Sequence, residues 1–261
     1  ATVIRMRVAD QISEGEVRRH LAEAVAAGIL SASTSADSAV TRYGFIRPLV
    51  RDTLYLGMNS MRRRRLHRRA ADILAGNGLQ PGISSVLLTH LQALGDTSAV
   101  AACAASAARH ALDVGDPREA ERLYLMAIDS AGGEDGREHI SSLLQDLAAV
   151  QRGNGRYRPA RASLARLVNL SEQRSAWGAA AVARTESAET ASCACDPEAI
   201  ESDSRLALAS SMQAGQAALM KRALSCLAMR QSLGGEWLDA MGTLRLADRT
   251  ELGAGIRDLQ A

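Results

Sequence analysis

Apolar positions along this chain recur every three or four residues and seldom alternate, which is the spacing of helix faces rather than of strands. The first such face runs through Val17, Leu21, Ala24 and Val25. Ser13 and Glu16 before it have capping-box spacing, and Gly28 after it suits a C-terminal cap, so a helix is expected from Ser13 to Gly28. Ile29 and Leu30 lead into a loop of Ser, Thr, Ala and Asp, and Arg42–Ile46 reads as a short strand. A helix, a loop and a short strand pair form a winged-helix pattern. Pro48 then stands at the first turn of a helix whose apolar side would be Leu49, Val50, Leu54 and Met58. Ser60 caps the next, which would bury Leu66, Ala70, Ile73 and Leu74. The Gly/Pro-rich stretch Gly76–Gly82 is a linker, with the break at Asn77–Gly82. Two domains are therefore expected: residues 1–76, winged-helix-like with connecting helices, and residues 83–261.

Beyond the linker the helices come in pairs at a steady period. A Gly or Asp turn followed by a helix with an early alanine recurs at Gly115–Ala120, Gly155–Ala160, Asp196–Ala199 and Gly235–Ala240. The marker alanines Ala120, Ala160, Ala199 and Ala240 lie 40, 39 and 41 residues apart. Ala108, Ala148 and Ala228 precede three of them by twelve residues; the third pair has Ser187 there instead. Small residues at fixed places in both helices let antiparallel helices stack closely. The expected fold is all-α: a winged-helix-like unit followed by a tetratricopeptide-like α-solenoid of four pairs. The first helices of such pairs present a common concave face, and the marker alanines place Arg109, Gln145, Arg152, Arg184, Arg222 and Met229 on it. Arginines from four repeats would suit a carboxylate or phosphate ligand, or an acidic peptide or protein, through bidentate contacts.

Composition narrows the chemistry. Of 31 basic residues all but Lys221 are arginine, and the net charge is only +2, so no polyanionic partner is demanded globally. Aromatic residues make up 3% of the chain. No apolar run long enough for a membrane span and no signal peptide is visible, and the four cysteines are too scattered for a disulfide framework. A cytoplasmic protein without a membrane partner is expected, its thiols small and buried. The chain opens on Ala1 and reads as a piece of something longer.

Catalytic motifs are missing. A phosphate-binding loop needs Gly-Lys-(Ser/Thr) after a Gly-rich turn, and Lys221 follows Leu219-Met220 inside a helix. Cys193 and Cys195 have no histidine nearby to complete a metal site, and the five histidines fall one to a helix as polar edges. No enzyme activity, cofactor or metal is expected. The sharpest charged feature is Arg62–Arg65 with His67, Arg68 and Arg69; Arg62, Arg65 and Arg69 share a helix face. Base-reading polar residues are not interleaved with them, which favours a solvated or interdomain role, including phosphate contact, over DNA binding.

The stretch Phe45-Ile46-Arg47-Pro48-Leu49-Val50-Arg51-Asp52-Thr53-Leu54-Tyr55 resembles the F-x-H-P-L-(V/L)-R-(D/E)-x-(V/L)-Y segment of large LuxR-type regulators of the STAND class of signalling ATPases. Arg62–Ala71 and Leu87–Gly95 look like that family's continuation into its repeats, and Gly115–Ala127 is similar to the second helix of a tetratricopeptide repeat. The likeness is specific over about residues 42–130. It implies a regulatory and sensor segment of a transcriptional regulator, with a nucleotide-binding domain upstream and a ligand or protein partner in the repeats. Arg47 stands where the family has a histidine near the nucleotide, which with Arg62, Arg65 and Arg69 makes it an interdomain or phosphate-contact candidate. A free-standing helical-repeat adaptor is the alternative.

Overall fold

The structure, a computed structural model, describes residues 14–34, 41–76, 81–132 and 136–251. Within them the order is α1 (Glu14–Ala26), β1 (Leu30–Thr34), β2 (Thr41–Phe45), α2 (Pro48–Gly57), α3 (Ser60–Gly76), α4 (Pro81–Leu94), α5 (Thr97–Asp113), α6 (Pro117–Ser130), α7 (Gly136–Gly153), α8 (Tyr157–Gln173), α9 (Trp177–Cys193), α10 (Pro197–Gln213), α11 (Ala217–Leu233) and α12 (Trp237–Glu251). The fold is all-α apart from the two short strands. It divides into two compact units, Ala1–His110 and Ala111–Ala261. The capping residue Ser13 and positions 77–80 of the expected linker lie outside the described residues, while Pro81 and Gly82 already belong to α4.

In the first unit α1 ends at Gly28, whose φ of 68° is the left-handed conformation that closes a helix. Leu30 then enters a strand rather than the expected loop. β1 and β2 pair antiparallel from Leu30↔Phe45 to Thr34↔Thr41, giving the helix and hairpin of the winged-helix-like pattern. Arg47 is extended (φ −117°, ψ 118°), as the residue before a proline must be, and Pro48 opens α2. The expected apolar side of α2 is not buried: Val50, Leu54 and Met58 share one side with Leu49 off it, but among the described residues only β2 makes more than marginal contact with α2. Leu49 is 77% exposed, Leu54 54%, and no residue of α2 is buried. α3 packs on α4, with Ala70, Ala71 and Leu74 of one and Leu87 and Leu88 of the other buried. Leu66 remains exposed.

In the second unit each helix from α6 to α12 packs on the next, and α11 also touches α9. The turns between helices share one geometry. Left-handed residues stand at Gly95, Gly115, Gly155, Ser175, Cys195, Gly215 and Gly235, all on a strict 20-residue grid whose remaining point, 135, is outside the described residues. At each turn of the second unit the left-handed residue donates to a carbonyl three back, and the next residue donates to one five back: Gly155 to Arg152 and Arg156 to Gln151, Cys195 to Ser192 and Asp196 to Ala191. This is the Schellman closure. Asp116 and Asp196 add side-chain caps, accepting from Glu119 N and Ala199 N at 3.1 Å.

The grid corrects the repeat register. The partner of Ala120, Ala160 and Ala240 in the third pair is Ile200, fully buried, and not Ala199. Twelve residues earlier the small residue is Ala188, so Ala108, Ala148, Ala188 and Ala228 form an unbroken buried series and the exception at Ser187 disappears. The low hydrophobicity of α9 and α10 is reconciled with burial locally. Thr185, Thr190, Ser192, Ser210 and Ser211 turn their hydroxyls onto carbonyls four residues back at 2.6–2.9 Å, which leaves Ser204 Oγ on α10 as a buried hydroxyl without a partner.

Candidate functional site

The first helices of the last three pairs, α7, α9 and α11, share one face. Glu189 on α9 defines it, for it takes a bidentate contact from Arg222 of α11 at 2.7 and 2.8 Å and a longer one from Arg152 of α7 at 3.8 Å. Three residues back on α9, Glu186 accepts from Gln145 of α7 at 3.4 Å. Hydrogen bonds to Glu189 raise the Arg222 guanidinium further above its ordinary range; burial opposes this and the charges of Glu189 and Glu186 add to it. Four of the six expected groove residues, Gln145, Arg152, Arg222 and Met229, belong to α7 and α11, and the first three of them meet on the α9 carboxylates; Met229 is part-exposed. The strip is a charge-balanced polar ladder. An acidic ligand here would have to displace Glu189 from two arginines.

Arg184 does not join it. Five residues before Glu189 on α9, it faces about 140° away, and it bonds Glu172 of α8 at 2.6 Å and the Ser210 hydroxyl of α10. On the 40-residue register Arg184 occupies the position of buried Leu144 and Leu224. It sits beside a shallow cleft floored by Ala165, Val168 and Leu206 of the second helices. Arg109 is exposed and belongs to the first unit. The carboxylates of the ladder were missed in the sequence. The strict register would have found one: Glu189 stands at the position of Arg109 and Met229.

The arginines of α3 behave differently. Arg62, Arg65 and Arg68 are exposed and Arg69 is half-buried, and none of them has an acidic partner among the described residues. Arg63 lies over the Tyr55 ring at 5.5 Å, and Arg64 donates to Leu94 O at 3.3 Å. Exposed Met61 opens the same helix. Arg47 is exposed at the N-terminus of α2 with no side-chain cap bond. The free positive charge of the described chain is thus concentrated in the first unit, while the arginines at the centre of the second are neutralised.

Two expectations about minor residues change. Cys103 and Cys226 are buried, with burial pushing both thiols up, but Cys193 and Cys195 are exposed because they flank the α9–α10 turn. His67 and His90 are not isolated helix edges: their Nδ1 atoms lie 2.8 Å apart. Among the described residues no group of three or more His, Cys, Asp and Glu could hold a metal ion, and no helix is long and apolar enough to cross a membrane.

The most buried ionic element is structural in position. Glu121 of α6 is 5% exposed and accepts from Gln151 Nε2 at 2.9 Å and from Arg156 at 2.5 Å; Ser163 in turn donates to Gln151 Oε1 at 2.9 Å. The chain ties α6, α7 and α8 together with every named group satisfied.

No family model matches the chain, and no curated protein matches it. Among solved structures it is similar to BtubC (BKLC) from P. vanneervenii, with a TM-score of 0.51 and 14% identity over 91% of this chain and 91% of that one. At that identity the likeness is one of fold.

Proposed function

We propose that this chain is the regulatory and sensor segment of a LuxR-type, STAND-class transcriptional regulator, and that it acts by binding rather than by catalysis. One observation carries the reading: the order of parts. A hairpin runs into the Arg47-Pro48 helix start, the arginine helix α3 follows, and an array of 20-residue helical units begins directly after it. That is the succession the resemblance of Phe45–Tyr55 and Arg62–Ala71 implies. In this reading Arg62, Arg65 and Arg69, with Arg47, face a neighbouring nucleotide-binding domain or its phosphates. The α7–α9–α11 face takes the partner or ligand, and a protein surface carrying both charge signs matches its balanced ladder better than a simple polyanion does.

The test is the coding sequence preceding Ala1, read for a G-x-x-x-x-G-K-(S/T) loop. Finding it, together with ATP binding by the longer protein and none by this chain, is the expected result. A preceding sequence without that loop would leave a helical-repeat adaptor as the function, and micromolar ATP affinity in this chain alone would contradict the reading outright.

A further inference from the structure

Three helices of the first unit meet in a chain of ionisable rings. Tyr55 of α2 shares a hydrogen bond with His67 of α3, Oη to Nε2 at 2.8 Å. The other ring nitrogen of His67, Nδ1, faces Nδ1 of His90 on α4 at 2.8 Å. The rings are correspondingly close, with centroids 5.8 Å apart for Tyr55 and His67 and 5.1 Å for His67 and His90.

Proton counting limits what this chain can hold. A hydrogen bond between two imidazole nitrogens needs one N–H and one lone pair. With both rings neutral there are two ways to satisfy it. Either His90 donates to His67 and His67 Nε2–H donates to Tyr55, or Tyr55 donates to His67 and His67 Nδ1–H donates to His90. A single added proton fits the first arrangement, going onto His90 Nε2 and leaving both bonds intact. A second proton has only His67 Nδ1 left to take. It places N–H against N–H between two cations, and the bond cannot survive.

We propose that Tyr55, His67 and His90 form a proton-operated latch, closed while the histidine pair carries at most one proton and opened between α3 and α4 by the second, which leaves His67 Nε2–H still donating to Tyr55 on α2.

The surroundings set the direction. Of the charged residues on α3, Arg63 lies over Tyr55 and Arg64 reaches Leu94 O, both next to the latch in sequence. Asp72 is five residues beyond His67 and so about 140° round the helix. From α2 the charged groups are Arg51 and Asp52, bound to each other at 2.7 Å. α4 carries no charged residue besides His90. No carboxylate is therefore joined to either imidazole, and burial holds both histidines below the usual 6.5, with the His67 charge adding to the effect at His90. The unfolded chain binds protons more readily than the latch, so the latch contributes stability above about pH 6.5 and loses it as pH falls below that value. Opening also raises the positive charge of the helix that already carries the free arginines, which couples acidification to the strength of that surface.

The test follows the histidine ring nitrogens of the whole chain by NMR from pH 8 downward, alongside amide protection factors corrected for intrinsic pH dependence. His67 and His90 should titrate in two linked steps below pH 6.5. The second step should bring a fall in α4 protection of about fivefold, the loss expected for one ordinary hydrogen bond. His90→Gln removes the second protonation and should leave α4 protection flat over the same range. Tyr55→Phe removes only the bond to α2, so it should keep both the linked titration and the α4 response, and it reports even if the histidine variant folds poorly. Independent single-step titrations of the two rings, or α4 protection that ignores the second step, would overturn the latch.

Discussion

Two of the left-handed turn positions are held by the wrong kind of residue, and their replacement isolates the cost of a backbone conformation. Ser175 and Cys195 adopt φ of 55° and 51° at grid points where five of the described turns have glycine. A residue with a Cβ pays about 1–2 kcal/mol for this conformation. Glycine escapes that cost but loses about 0.5–1 kcal/mol more backbone entropy on folding. Cys195→Gly should therefore stabilise the second unit by a net ~0.5–1 kcal/mol, and Ser175→Gly by the same amount. Both side chains are exposed, so little packing is lost. The sites share no partner and their gains should add. The converse is Gly155→Ala, where an added Cβ would meet nothing within 4 Å, leaving backbone strain as the only cost. It should destabilise by about 1 kcal/mol. Urea unfolding followed by circular dichroism reads these as shifts in midpoint at constant slope. A destabilising Cys195→Gly, or a Gly155→Ala with an unchanged midpoint, would refute the argument.

Glu121→Ala leaves Gln151 buried without its acceptor and should cost about 2–3 kcal/mol, below the full value for a broken buried pair because Arg156 can return to water; thermal unfolding checks it. Glu189→Gln should cost under about 1 kcal/mol, since both ion pairs are partly exposed, and urea titrations at low and high salt should show the difference from wild type shrinking as salt rises. Thiol labelling of the native chain should modify Cys193 and Cys195 rapidly while Cys103 and Cys226 react only on unfolding, as their exposure and the raised thiols of the buried pair require; mass spectrometry of labelled peptides reads it out.

The helices and their pairing were legible because turn glycines and early alanines are local signals repeated at fixed spacing. The slip from Ile200 to Ala199 shows the limit of following one residue type: the register belongs to the turn conformation, and Cys195 carries it without looking like glycine. The face shared by α7, α9 and α11 was legible in part. Gln145, Arg152 and Arg222 were found, but their partners Glu186 and Glu189 lie 41, 37 and 33 residues away in sequence, and only packing of α7, α9 and α11 brings those charges together. Arg184 was misplaced for a related reason. Its charge reads as surface, yet its position is the one Leu144 and Leu224 fill with core, and Glu172 and Ser210 make that placement tolerable. The apolar residues of α2 read as a core face, and Val50 and Leu54 do share a side, but no described element packs on it closely enough to bury it. The His67–His90 contact could not be read from residues 23 apart with a Gly/Pro-containing linker between their helices.

The uniform turn has a bearing on how such a chain can change length. Each helix and its turn occupy the same twenty residues, so a single inserted residue within a helix rotates everything after it by about 100° and turns the buried alanines outward. A change of forty residues does not. Excising 174–213 would join Gln173 to Ala214, the residue before left-handed Gly215, and so recreate the same closure between α8 and α11. Drift by one residue is penalised while loss or gain of a whole pair leaves the turn grammar intact. The length of the array can accordingly be adjusted by recombination in steps of one helix pair.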